Sequence, residues 1–263
     1  MVNNEIKKAN RKALPKFILI MVISSVAGGA IGFFSAKYGL NALSGSIKTL
    51  GELFGLHIAP WLMLSIAIIE PVISIALYRR AKMLLNKWDG ENDEICDKVE
   101  EKLSIIIWLS GGALIISYFL IAASYSGGFA AFENEEFILP FFIGIAAFFC
   151  TIIESIIIQQ KCIDAAKITN PEKTASVYDM KFQKKWVDSC DEAEKLLIGK
   201  CAFKAYTVTN TVCTILAIVL AICALIFEIG FLPSLVVCII WIVNQSVYCK
   251  EAVKYSKSGN KLL

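Results

Sequence analysis

Six long apolar stretches with almost no internal charge constrain this chain more than any other feature. A helix rises about 1.5 Å per residue, so about 20 apolar residues are needed to cross a hydrocarbon core of about 30 Å. The stretches lie at approximately 15–38, 58–78, 104–126, 137–158, 206–227 and 231–249. The composition, 57% hydrophobic, exceeds the share of about 45–50% usual in soluble domains. We predict an all-α, polytopic membrane protein with six transmembrane helices in a single domain, 1–263.

Basic residues fall on one side of these spans. Of the 26 Lys and Arg residues, only Lys37 and Lys48 lie on the opposite face. Loops rich in Lys and Arg stay cytoplasmic, so both termini are predicted to be cytoplasmic, in a plasma membrane whose anionic lipid attracts this face. The first stretch follows a basic leader but is long for a signal peptide, so we interpret it as a retained span.

Two polar segments on the basic face carry most of the chain outside the bilayer. We call residues 79–103 the first basic segment and residues 159–205 the second basic segment. Each ends in apolar residues at helical spacing that continue into the next span, which predicts cytoplasmic amphipathic helices. Asp93 is the expected cap of the first helix. In the second segment, Tyr178, Met180 and Phe182 alternate with polar residues, which favours a short strand.

An internal repeat relates these parts. Ile-Ile-Glu occurs at 68–70 and again at 152–154, and Cys-Asp-x-x-Glu occurs at 96–100 and again at 190–194. A weaker third copy has Asn244 in the position of the glutamates. We interpret the chain as three hairpins of two spans each, with units at approximately 1–103, 104–204 and 205–263. Chance similarity between apolar runs is the alternative.

Two carboxylates inside the spans are the leading candidate site. A carboxylate in hydrocarbon is costly and usually faces the bundle interior or a water-filled cavity, and no Lys or Arg of the same spans could pair with Glu70 or Glu154. They could couple to a proton or a cation, or form hydrogen bonds between helices with Ser74, Thr151, Ser155 or Asn244. Pro71 removes a backbone donor and predicts a kink beside Glu70.

A stripe of small residues runs along the first span at four-residue spacing. Such a stripe lets another helix approach closely, and packing within the chain is favoured over dimerisation. Its members are Ser24, Gly28, Gly32 and Ala36.

Sites of enzymatic chemistry are not evident in the sequence. His57 is the one histidine, which excludes multi-histidine metal sites, and there is no Gly-rich nucleotide loop or G-x-S-x-G motif. The nine cysteines include no C-x-x-C pair and none in an outer loop. We therefore expect no enzyme activity, no metal, no cofactor and no nucleic-acid partner.

One stretch resembles a known family. The run Lys87-Trp88-Asp89-Gly90-Glu91-Asn92-Asp93, followed by Glu100-x-x-Leu103 and the third span, is similar to domain of unknown function 3169. The resemblance implies a bacterial six-span membrane protein and brings no activity and no catalytic residues with it.

Two function classes follow from these features. The first is a non-enzymatic accessory, sensory or self-protection factor that acts through its cytoplasmic face, with a membrane or cytoplasmic protein as partner. The alternative is a small permease, or a transporter subunit, that uses the intramembrane carboxylates. Large polar segments favour the first class, whereas the paired glutamates favour the second. The sequence leaves the oligomeric state open.

Overall fold

The computed structural model describes residues 48–90, 92–126, 135–173, 175–227 and 229–257, together with scattered positions between 15 and 33. Within these ranges every regular element is a helix, and no strand occurs. The predicted all-α class is therefore confirmed for the described part of the chain.

Six helices follow one another in the described residues from Lys48 to Lys257. The first, α1, spans Lys48–Leu85 and contains a π-helical segment, Phe54–Ile58, before its α-helical part, Ala59–Leu85. The others are α2 (Asp93–Ser124), α3 (Glu135–Thr169), the short α4 (Phe182–Asp188), α5 (Glu192–Phe227) and α6 (Leu232–Lys257). Described positions from Pro15 to Phe33 are helical as well.

Five of these helices are long and apolar enough to cross a membrane: α1, α2, α3, α5 and α6. The first predicted span lies largely outside the described residues, so the count of six spans stays a prediction. The grouping into three hairpins and the unit boundaries at 103 and 204 also stay predictions. The five helices support a membrane-embedded protein.

Three local predictions are wrong. Residues from Lys48 onward are helical, so α1 already includes the ten residues before the predicted start of the second span at residue 58. The cap of α2 is Asn92, whose side chain accepts a hydrogen bond from the amide of Ile95 at 3.2 Å, rather than Asp93. Residues 177–181 form turns and a bend instead of a strand, because alternation over so few residues does not by itself supply a pairing strand.

The described chain divides into two compact units, Lys48–Gly199 and a second unit formed by residues 1–47 and 200–263. In the first unit, α1, α2 and α3 pack against one another around two apolar clusters. The proximal cluster, next to the basic segments, consists of Ala81, Leu85, Val99, Leu103, Ile106, Ile158, Cys162 and Ala165. The distal cluster, at the other end, consists of Ala59, Met63, Ala67, Leu120 and Ala147.

Two glycines allow the helices of this unit to approach closely. A Cβ atom at Gly55 would lie 2.0 Å from the carbonyl oxygen of Ala123, and one at Gly144 would lie 2.7 Å from Cε of Met63. Lipid tails are as apolar as the helix surfaces, so close van der Waals packing of this kind is a main source of helix association in membranes.

The second basic segment is folded around a buried lysine. The Lys173 side chain is 1% exposed, forms an ion pair with Glu194, and donates a hydrogen bond to Sγ of Cys190 at 3.3 Å. Its ammonium also lies 5.5 Å from the centre of the Trp186 ring. Burial alone disfavours the ammonium, but the hydrogen bonds to Glu194 and Cys190 and the charge of Glu194 outweigh it and raise the pKa of Lys173.

Contacts to α2 and α3 fix the rest of this segment. Asn170 donates a hydrogen bond to Glu100 of α2 at 3.0 Å. The side-chain oxygen of Gln160 in α3 accepts hydrogen bonds from the Ser176 hydroxyl and the Val177 amide at 3.0 and 2.8 Å. Residues 170–173 and 175–191 therefore form a defined surface connected to both helices.

The second unit contains interhelical polar contacts of its own. Asn244 of α6 donates a hydrogen bond to Oδ1 of Asn210 in α5 at 3.3 Å. The Tyr206 hydroxyl donates to Gln245 at 2.6 Å, and the rings of Tyr206 and Tyr248 stack at 4.3 Å. Side-chain amides and aromatic rings thus connect α5 to α6.

We expect Gly55→Ala to destabilise the protein by about 1–3 kcal/mol, because the new methyl group meets a backbone carbonyl that can move only if the helices separate. Gly111→Ala is the matched control, since a Cβ atom there meets nothing within 4 Å. Thermal unfolding in detergent measures both variants. Equal stability of the two variants would contradict the close approach at Gly55.

We expect Lys173→Gln to loosen the second basic segment by roughly 1–3 kcal/mol, because Glu194 loses its cation and Trp186 its charged neighbour. The rate of tryptic cleavage after Lys184 and Lys185 measures this loosening. Since pairing raises the pKa of Lys173, its stabilising effect should be complete below the ordinary lysine pKa and should disappear as the pH rises through the raised value.

Lys195→Gln is the control for this experiment, because Lys195 is 38% exposed and pairs with the exposed Glu192. Exposed pairs contribute little, so cleavage should not change. Cleavage that accelerates equally in both variants would rule out a special role for Lys173.

Candidate functional site

Glu70 belongs to the buried face of α1. Met63, Ala67, Glu70 and Ser74 recur at spacings of three and four residues, which places them on one side of the helix, and all four are buried. Glu70 is 5% exposed. Its Oε1 accepts a hydrogen bond from the Ser74 hydroxyl at 2.6 Å, whereas its Oε2 is buried without a hydrogen-bond partner.

Glu154 lies on the corresponding face of α3. Its neighbours Thr151 and Ser155 are 1% exposed, and Oε2 of Glu154 is buried without a hydrogen-bond partner. Gly144 of α3 packs against Met63 of α1, and both helices run from the distal to the proximal cluster. Glu70 lies seven residues after Met63 and Glu154 ten residues after Gly144, so the two glutamates lie at a similar level of the first unit.

The third wall, α2, contributes serines at seven-residue spacing. Ser110, Ser117 and Ser124 are all at most 5% exposed. The backbone oxygen of Ser110 accepts a hydrogen bond from the Ser155 hydroxyl at 3.4 Å, and its hydroxyl accepts one from Gln159 at 3.1 Å. The Ser117 hydroxyl, like the two glutamate oxygens, is buried without a partner.

These side chains form one layer, which we call the polar belt. Its members are Glu70, Ser74, Ser110, Ser117, Thr151, Glu154 and Ser155. In each helix the belt residues lie between the two apolar clusters: Glu70 and Ser74 between Ala67 and Ala81, Ser110 and Ser117 between Ile106 and Leu120, and Thr151 to Ser155 between Ala147 and Ile158. The belt is therefore enclosed by apolar layers on both sides.

The ionisable side chains of the belt, Glu70 and Glu154, are both acidic. The predicted spans 58–78, 104–126 and 137–158 contain no Lys, Arg, Asp or His, and their only ionisable carboxyl groups are Glu70 and Glu154. Hydroxyls can donate to a carboxylate, but the Thr151 hydroxyl donates to the backbone of Ala147 and that of Ser155 to the backbone of Ser110. A positive ligand is the complement that this layer lacks.

The other predicted site residues are not part of the belt. Pro71 follows Glu70 within the continuous helix α1. Asn244 belongs to the second unit, where it pairs with Asn210. The packing stripe of Ser24, Gly28, Gly32 and Ala36 lies outside the described residues. Among the described residues no group of three or more His, Cys, Asp and Glu side chains could hold a metal ion.

Neither the serine wall of α2 nor the burial of Lys173 was predicted from the sequence. The seven-residue spacing of Ser110, Ser117 and Ser124 was a usable signal, because residues seven apart share one helix face. Lys173 gave no such signal, since a lysine in a basic segment is usually solvated.

Comparison with known proteins gives a family and no further relatives. No curated protein and no solved structure matches this chain. The family model described as Protein of unknown function (DUF3169) matches residues 11–252, in agreement with the resemblance at residues 87–103. Because this match covers most of the sequence, the chain belongs to the DUF3169 family.

Proposed function

We propose that this chain is a small proton-coupled permease, or the membrane subunit of one, in which Glu70 and Glu154 bind the coupling proton. The observation that carries the proposal is that Glu70 and Glu154 lie at a similar level of one bundle, each with an Oε2 that is buried without a hydrogen-bond partner, in a belt that contains no cation. The activity is binding and movement, without covalent chemistry.

One proton resolves two unfavourable features of the pair at once. A charged side chain at the centre of a span costs about 2.5–3.5 kcal/mol on insertion scales, and two neighbouring anions repel each other besides. A proton removes one charge. It also turns one of the two unpartnered carboxylate oxygens into a hydrogen-bond donor. The protonated carboxyl group can then donate a hydrogen bond to the remaining carboxylate, between α1 and α3.

Release of that proton reverses both effects, because it leaves two anions in the belt between the two apolar clusters. Their repulsion favours either separation of α1 from α3 or binding of a positive ligand. A coupled carrier needs a group whose occupancy changes the packing of its helices, and this pair is placed to act in that way.

The proposal includes the location of the protein. We place it in a bacterial cytoplasmic membrane with both termini inside, where the two basic segments meet anionic lipid. Five membrane-capable helices support this environment, and the charge distribution of the sequence supports the orientation.

A second candidate is a non-enzymatic accessory, sensory or self-protection factor that acts through the basic face. The second basic segment favours it. Contacts of Lys173, Asn170 and Gln160 give this segment a defined surface, which a simple linker between two helices does not require. Such a surface could bind a cytoplasmic or membrane protein.

We expect the carboxyl groups of the belt to titrate as a coupled pair. Infrared difference spectra of the protein in lipid vesicles should show two separated protonation steps, and Glu70→Gln or Glu154→Gln should each leave a single step at a new midpoint. Glu192→Gln, at a side chain that is 90% exposed, is the control and should leave both steps in place. A midpoint of either glutamate that ignores removal of the other would refute the coupling.

The orientation predicts which introduced cysteines react from outside intact cells. An impermeant thiol reagent should label cysteines placed at Ser46 and Asn134 and should not label one placed at Ser258. The nine native cysteines lie in the predicted spans or on the basic side, so the background should be low. Labelling at Ser258 would reverse the proposed topology.

A further inference from the structure

An apolar groove runs between α1 and α2 in the first unit, beside the polar belt. Its volume is about 420 Å³, within the range of about 300–1,000 Å³ that is typical of small-molecule sites. Leu62, Ile66, Ile69 and Ile73 form the α1 wall, and Trp108 and Ile116 lie on the α2 wall.

The groove contains one ionisable side chain, Glu70. This carboxylate is 5% exposed, and its Oε2 has no hydrogen-bond partner. The hydroxyl of Ser65, the other polar side chain of the lining, donates to the backbone oxygen of Trp61 at 2.8 Å. The lining thus offers a buried negative charge in an otherwise apolar wall.

Two further features suit a positively charged occupant. Trp108 is 78% exposed at the groove, and the face of a tryptophan ring attracts organic cations. The α2 wall leaves open space beside Gly112, where an added Cβ atom would meet nothing within 4 Å.

We propose that this groove binds an amphipathic organic cation, with its apolar body against α1 and α2 and its positive charge at Glu70. This inference rests on the proposed proton coupling and names its substrate class. Anions are disfavoured because Glu70 repels negative charge. Neutral polar molecules are disfavoured because, apart from Glu70 and the Trp108 indole, the wall offers them little to hydrogen-bond.

Cation and proton then compete for the same carboxylate. Binding of the cation to Glu70 removes the need for a shared proton, so the proton leaves the pair, and its return displaces the cation. The ionisable groups that bear on this exchange are Glu70 of α1 and Glu154 of α3, since residues 104–124 of α2 contain no charged side chain. One site thereby yields exchange of a cation for a proton.

The test uses tetraphenylphosphonium as the cation and tetraphenylborate, an anion of the same shape, as its partner probe. Equilibrium dialysis with the purified full-length protein separates saturable binding from partition into detergent. We expect saturable binding of the cation alone, weaker at acidic pH, with release of a proton into lightly buffered solution.

Variants locate the site. Glu70→Gln should weaken cation binding about tenfold or more and abolish its pH dependence. Gly112→Leu should fill the groove and abolish saturable binding, whereas Gly111→Leu, at a neighbouring open position outside the lining, should not. Correct folding of each variant is checked by its thermal unfolding.

The outcomes separate this inference from the proposed function. Coupled titration of the carboxyls without saturable cation binding would overturn the groove site. This result is expected where another segment of the chain covers the groove, and it would leave the proton site supported. Binding that depends on Glu70 but releases no proton would retain the cation site and overturn the proton coupling. Equal binding of the anion, or undiminished binding to Glu70→Gln, would also refute the inference.

Discussion

The absence of water in the hydrocarbon core is the constraint on which the rest of this structure depends. It requires each span to satisfy its own backbone, which only a helix can do alone, and it makes every polar side chain in the interior seek a partner within the bundle. Glu70 meets this requirement in part, through the Ser74 hydroxyl, whereas its Oε2 and the Oε2 of Glu154 are buried without a hydrogen-bond partner. The incompletely satisfied belt is where ligand binding gains most free energy.

The sequence predicted the helices because hydropathy and length report directly on bilayer thickness. It also indicated the belt, because Glu70 and Glu154 both end an Ile-Ile-Glu run within an apolar stretch, and neither stretch contains a Lys or Arg. The sequence could not predict which groups form hydrogen bonds with the side chains of the belt. That Ser74 bonds Glu70, whereas Thr151 and Ser155 bond backbone oxygens, depends on helix rotations within the bundle. The start of α1 at Lys48 escaped prediction because its first turns are amphipathic rather than apolar.

The Cys-Asp-x-x-Glu motif, which occurs at 96–100 and at 190–194, makes similar contacts in both places. Glu100 accepts a hydrogen bond from Asn170, and Glu194 forms an ion pair with Lys173, so both glutamates bind side chains of the second basic segment. Glu194 also completes a reciprocal cap with Asp191 at the start of α5. In α5 the motif starts the helix and holds the polar segment that precedes it. In α2 it lies inside the helix, behind the Asn92 cap, and holds Asn170. These contacts become visible only once residues 170 and 173 are placed.

The two apolar clusters give the belt its mechanical consequence. They hold α1, α2 and α3 together above and below the carboxylates, and the close helix contacts at Gly55 and Gly144 add to this packing. Repulsion within the belt cannot be relieved by water from either end, because an apolar layer closes each side. A change of charge at Glu70 and Glu154 must therefore be compensated within the polar belt itself. Either a proton or a cation binds there, or α1 moves sideways away from its neighbours. The groove between α1 and α2 lies along that sideways path, which is why protonation and occupancy of the groove are expected to depend on each other.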